Sequence, residues 1–288
     1  LQWRSFPERR IAMKISTLKA KSILVKSNLP ASDYVANPYG GCTHQCRYCY
    51  ACFMKRFTGH DEDWGTFLDV KEYESDKLPK SLTGKTILLS SVTDPYNPFE
   101  AKYHKSREIL ERLRGTDAHI EILSKSDLMV RDLDLLRQIP DLSVGISLNT
   151  LDDGFRKDME LGAPSVQRRL KALETLHDVG ITTYLFVSPI FPYITDIRAL
   201  IEAVNGHVDQ ICFENLNLRG AAKGEILDYI AEKYPQHLDG YKAIYQKGDL
   251  SYWEQLEAEI KTLSKDYAVP FVNYFYHAKI RKGGKNHD

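Results

Sequence analysis

The sequence predicts an α/β fold, a parallel sheet or partial barrel of six strand–helix pairs followed by an appendage, and three observations carry that expectation. Apolar runs rich in β-branched residues recur at intervals wide enough for a helix between them. The clearest such helix covers 165–179, where Val166, Leu170, Leu173 and Leu176 form one stripe behind a Pro164-Ser165 start and Gly180 ends it. The chain has 288 residues, 43% hydrophobic and 27% charged; α/β barrels often take about 200–250 residues as one domain, which leaves room for an addition.

Taken in order, the strands are expected at 33–37, 86–91, 119–124, 143–148, 182–187 and 210–214. Strands that alternate with helices pair in parallel through right-handed crossovers, and this places an active site at their C-terminal ends. After Leu218 the pattern changes. Helices are expected at 222–233 and 252–266, then an extended run at 270–276. In that run Phe271, Asn273, Phe275 and His277 fall on one face and Val272, Tyr274 and Tyr276 on the other, as in a strand packed on both sides. The expected division is an N-terminal extension (1–30), a core (31–218) and a C-terminal extension (219–288).

Basic and acidic residues balance at 39 each, as in a soluble globular chain. No apolar run reaches the roughly 18 residues of a membrane span, and Leu1 to Arg10 lack the apolar stretch of a signal peptide. A cytoplasmic protein without membrane contact is therefore expected. Charge is uneven locally: Arg4, Arg9, Arg10, Lys14, Lys19, Lys21 and Lys26 face only Glu8 near the start, and Lys279, Arg281, Lys282 and Lys285 mark the other end. Such blocks are usually solvated and partly disordered; contact with phosphates, with Tyr274, Phe275 and Tyr276 stacking on bases, is the minority reading.

The strongest signal is Cys42-Thr43-His44-Gln45-Cys46-Arg47-Tyr48-Cys49, a Cys-x3-Cys-x2-Cys loop after the first strand and the Gly40-Gly41 pair. One short loop at this spacing can wrap three thiolates around three corners of an iron–sulfur cubane, and the glycines permit the tight path. Three ligands leave one iron open to a small molecule, which suits catalysis better than plain electron carriage. The competing reading is a zinc knot completed by Cys52, His44 or His60, but zinc modules usually present two separated ligand pairs. Five cysteines, an odd number, fit a reducing compartment; Cys52 and Cys212 are expected to be buried thiols.

With Tyr48 between its last two cysteines, this loop resembles the radical S-adenosylmethionine (SAM) superfamily, whose core is a partial (βα)6 barrel of TIM type. Asn37-Pro38-Tyr39-Gly40-Gly41-Cys42 running into Cys49-Tyr50-Ala51 looks like the branch that includes spore photoproduct lyase. The likeness spans roughly 33–216 and includes Ser91-Val92-Thr93-Asp94-Pro95, Glu160-Leu161-Gly162-Ala163-Pro164 before Arg169-Leu170, and Pro189-Ile190-Phe191-Pro192 with Asp196.

The resemblance implies a [4Fe-4S] cluster on Cys42, Cys46 and Cys49, and SAM chelating the open iron. An electron from the reduced cluster then cleaves SAM to a 5′-deoxyadenosyl radical, which abstracts hydrogen from substrate. It also implies Tyr48 beside the adenine, Thr93 and Asp94 at the SAM ammonium, Lys125 and Arg169 at its carboxylate, and Ser147 and Asn149 at the ribose, with Glu160 a weaker contact. Tyr48 and Tyr50 match tyrosines of the lyase's radical relay. One departure matters. The lyase has a cysteine on its second strand that returns hydrogen to the product radical, whereas this chain reads Ser90-Ser91-Val92-Thr93-Asp94. A serine O–H bond is too strong for that role, so reversal of a thymine dimer by the same route is not expected.

The expected function is thus a radical SAM enzyme acting on an unidentified substrate, a nucleic acid, peptide or metabolite, and reduced by a donor such as flavodoxin or ferredoxin. A second protein partner stays open. Peptide modifiers of this superfamily often carry further cysteine clusters or a leader-binding domain, and neither is visible. The reading from a different class is a zinc-stabilised nucleic-acid-binding module without catalysis.

Overall fold

In the computed structural model, which describes residues 13–75, 77–218 and 220–275, the six runs form strands Tyr34–Ala36, Thr86–Leu89, His119–Ser124, Leu142–Ser147, Thr182–Ile190 and Gln210–Asn215. They lie side by side in chain order and pair in parallel throughout. Val25–Lys26 borders the first antiparallel, and Phe271–Asn273 borders the sixth in parallel, so the sheet is an open partial barrel.

Alternation decides which face is which. Ile120 and Ile122, Val144 and Ile146, and Leu185 and Val187 point to the main core, where they meet Leu110, Leu173, Leu176 and Leu200 of the crossover helices. The intervening residues Glu121, Leu123, Ser143, Phe186 and Glu214 are half-buried on the other face. Period-2 strands under 3.6-period helices leave one face sealed by apolar contact and the other open for a site.

The helix after the fourth strand runs Val166–Asp178; the Ser165 hydroxyl caps its start by accepting from Arg168 N, and Gly180 at φ +83° turns the chain out of it. The first crossover differs from expectation. Among the described residues it holds no α-helix; it contains the 3-10 helix Tyr50–Phe57 and strand Phe67–Tyr73. That strand pairs in parallel with Lys14–Ala20 and antiparallel with Tyr39–Gly40, making a second, three-stranded sheet. Neither of its two longer strands reads as one. Phe67–Val70 is buried on both faces and includes the carboxylate Asp69, so it shows no alternation, while Lys14–Ala20 is largely exposed and is held by backbone pairing. Part of the basic N-terminal stretch is therefore ordered strand. Arg4, Arg9, Arg10, Tyr276, His277, Lys279, Arg281, Lys282 and Lys285 lie outside the described residues.

Beyond the sixth strand come helices Ala221–Lys233, Leu238–Lys247 and Ser251–Leu263. The middle one was not expected, because Gly240 in its first turn reads as a breaker. A Cβ at Gly240 would stand 2.5 Å from the Tyr193 ring, so the glycine there admits a close approach. Trp253, Leu256 and Ile260 join the main core, whereas Ile226, Tyr229, Ile230 and Tyr241 enclose a second one with Phe155, Phe191 and Tyr48. The C-terminal helices thus support the cysteine loop through Tyr48. No helix of the described residues is long and apolar enough to cross a membrane.

Candidate active site

The cysteine loop leaves the first strand through Gly41, which sits at φ +80°; a Cβ there would stand 2.6 Å from the Phe67 carbonyl oxygen. From the other side a strap at 159–162 holds it: Arg47 N donates to Met159 O at 3.0 Å, Gly162 N donates to His44 O at 2.8 Å, and Cys46 bridges Glu160. The Thr93 hydroxyl donates to Gly41 O. A Cβ at Gly162 would lie 2.3 Å from Thr43 O. Gly162→Ala must therefore displace the strap or the loop, and anaerobically reconstituted variant should hold less iron per chain than wild type while keeping its far-UV circular dichroism.

Cys42, Cys46 and Cys49 are free thiols, half-buried on this loop. Desolvation pushes Cys42 up to about 12 and raises Cys46 and Cys49 as well; the Lys125 ammonium draws Cys46 back only in part. Neighbouring thiols in such a site stay protonated unless a metal centre supplies positive charge, so the donor set suits metal or iron–sulfur ligation. Cys212 is buried as expected, but Cys52 is exposed, because the 3-10 turn carries its side chain to the surface.

Around the loop the named residues converge. Asp94 accepts from Ser124 Oγ at 2.6 Å, Lys125 N at 2.8 Å and Tyr96 N at 2.9 Å, and His44 Nε2 lies 3.0 Å from its second oxygen. Three of these contacts are hydrogen bonds and the fourth is the close approach of the His44 ring, so the carboxylate is fixed in position. Desolvation raises Asp94, but His44 and the hydrogen bonds outweigh it and hold the group at about 2, so it is ionised. Lys125 Nζ is 3.1 Å from Ser147 Oγ and 5.8 Å from the Tyr48 ring centre. Ser147 Oγ donates to Ser188 O at 3.0 Å. Asn149, only 1% exposed, has both side-chain amide atoms buried without a partner.

Tyr48 donates to Glu160, which pairs through its other oxygen with Arg169; Arg169 also donates to Ser147 O and Pro164 O at 3.1 Å each. Both members of the ion pair have no exposed surface. Desolvation opposes the Glu160 charge, yet Arg169 and Lys125 prevail and keep the carboxyl below its usual value. Tyr50 is 62% exposed, and its hydroxyl donates to Ser91 O at 2.6 Å.

Sequence reasoning weighed His44 only as a zinc ligand. Here it is buried, with Nδ1 3.1 Å from Gly162 O and Nε2 on Asp94, joining loop to strap and second strand. Its place between two cysteines was the only signal available. His60 is similarly engaged, 2.9 Å from Asp69 Oδ1 and stacked on Phe67.

The model of the Radical SAM superfamily matches residues 36–203. The chain belongs to the radical SAM superfamily. An uncharacterized protein of Methanocaldococcus jannaschii is 35% identical over 259 residues, 89% of this chain and 96% of that protein. A radical SAM Nalpha-GlyT isomerase of Pseudomonas phage M6 is 33% identical over 187 residues, 60% of this chain and 38% of the isomerase. Among solved structures, spore photoproduct lyase complexed with dinucleoside spore photoproduct shares the fold at a TM-score of 0.63 and 16% identity, covering 95% of this chain and 88% of the lyase. SuiB of Streptococcus suis bound to S-adenosylmethionine gives 0.54 at 13% identity over 85% of this chain and 51% of SuiB.

The radical SAM chain is accordingly an enzyme, and membership sets aside the non-catalytic zinc module. The superfamily implies a [4Fe-4S] cluster, SAM and a reductant. The three desolvated thiols and the unpartnered Asn149 amide fit those groups.

Proposed function

We propose that the protein cleaves SAM reductively and abstracts a hydrogen atom from an organic substrate at the C-terminal mouth of the open sheet. The observation that carries this is a three-cysteine loop clamped beside a half-buried cation, Lys125, and a buried, unpartnered amide, Asn149. Cys42, Cys46 and Cys49 would hold the [4Fe-4S] cluster, which when reduced would supply the electron for reductive cleavage of bound SAM, the difficult part of the chemistry.

The chain's residues orient and protect that chemistry. Lys125 pairs with the SAM carboxylate, and the fixed negative charge of Asp94, with Thr93 beside it, faces the ammonium. Ser147 and Asn149 offer hydroxyl and amide groups to the ribose, and Tyr48 lies along the adenine. Arg169 stands behind them: its guanidinium holds Glu160, which holds Tyr48. Tyr50, next to Cys49 and half-way out to solvent, takes the part of a hydrogen relay at the substrate side, a reading its exposed ring supports. An open sheet edge leaves the mouth accessible to a nucleic acid or peptide as well as a metabolite, with flavodoxin or ferredoxin as electron donor.

Anaerobic protein reduced with dithionite should convert SAM to 5′-deoxyadenosine and methionine. Asn149→Ala removes two hydrogen bonds, together worth about 1–3 kcal/mol. The variant should bind SAM roughly 5–150-fold more weakly at unchanged iron content. Unchanged SAM affinity would contradict the assignment of Asn149.

A further inference from the structure

A second group of metal-type ligands lies at the opposite end of the sheet from the cysteine loop. His177 and Asp178 end the helix Val166–Asp178, and His207 follows Gly206, whose φ of +81° turns the chain toward the sixth strand. One ligand atom from each of His177, Asp178 and His207 lies within 4.8 Å of the others. His207 Nδ1 is buried, has no hydrogen-bond partner, and stands 4.0 Å from Asp178 Oδ1. His177 Nε2 is likewise 4.0 Å from Asp209 Oδ1. Asp209 is anchored through its other oxygen, which accepts from Thr183 N at 2.7 Å. The two imidazoles meet edge to face, with centres 6.2 Å apart and planes at 85°.

The His207 ring is half-exposed, yet its Nδ1 faces Asp178 with no hydrogen-bond partner within the chain, which leaves that nitrogen available to a ligand. Two imidazoles and one carboxylate form a nitrogen–oxygen donor set of the kind that zinc-class divalent ions take, with ligand bonds of about 2.0–2.2 Å. Ligand atoms around such an ion sit roughly 3.4 Å apart, so rotations of the half-exposed side chains suffice to close the site. We propose that His177, Asp178 and His207 bind a divalent transition-metal ion, with water completing its coordination. The ion clips the end of the helix after the fourth strand to the turn entering the sixth. The site is independent of the cluster and needs no sulfur.

The test uses cluster-reconstituted wild-type protein and His177→Gln/His207→Gln, each titrated with Zn2+ under anaerobic conditions. Wild type should bind one further zinc per chain, its X-ray absorption should show a nitrogen–oxygen shell without sulfur, and its melting temperature should rise with added Zn2+. The double variant should keep its cluster absorbance, lose the melting shift, and bind zinc at least about tenfold more weakly, the minimum expected when even an outer-shell partner is removed. Equal zinc affinity in the two proteins, no zinc binding by wild type, or a sulfur-containing shell would overturn the proposal.

Discussion

Replacing Cys46 with alanine should remove the iron–sulfur cluster and SAM cleavage together, and Cys42→Ala and Cys49→Ala should do the same. On the proposed ligation each thiolate would take a corner that the loop offers no second donor to fill: His44 is engaged with Gly162 O and Asp94, and Cys52 is turned to the surface. Wild type purified anaerobically should be brown and carry about three or four irons with matching sulfide. Each variant should be near colourless and form 5′-deoxyadenosine only at the rate of the protein-free mixture. Cys52→Ala and Cys212→Ala are the internal controls and should keep cluster and cleavage. Iron, sulfide and 5′-deoxyadenosine measured on the same samples check this; a variant of the loop that keeps full cleavage would contradict the ligand assignment.

The second large effect is on stability. Arg169→Met leaves Glu160 charged and fully buried with only Lys125 nearby, and removing one partner of a buried pair costs about 3–5 kcal/mol. Glu160→Gln alone strands the guanidinium in the same way. The double variant Glu160→Gln/Arg169→Met removes both charges and should recover part of the loss, since an uncharged pair of similar volume is often neutral. Urea unfolding of the three variants reads the coupling directly. Single and double losses that simply add would show that the two groups act independently. In both Glu160 variants Tyr48 keeps only an uncharged amide oxygen as acceptor in place of the carboxylate, so the hold on its ring beside the cysteine loop should weaken.

Much of this architecture is legible in the chain because its parts are locally consistent. Thr86–Leu89, His119–Ser124 and Leu142–Ser147 alternate between the helical core and the open face, and Ser165 and Gly180 bracket a helix whose apolar stripe meets that core. The three-stranded sheet was hidden for the opposite reason: Asp69 is buried against His60 in a strand without alternation, and Lys14–Ala20 is exposed. Spacing pointed to Cys42, Cys46 and Cys49, and their loop is held where strand order puts the mouth. His44 and the strap at 159–162 were harder to see. Their role depends on contacts more than a hundred positions apart in sequence, which spacing does not encode.

The most direct measurement is Mössbauer spectroscopy of protein reconstituted with 57Fe, recorded before and after SAM is added. One iron of the cluster should respond, its isomer shift rising as SAM binds while its neighbours stay unchanged. A spectrum indifferent to SAM, or one without cluster iron, would contradict the account.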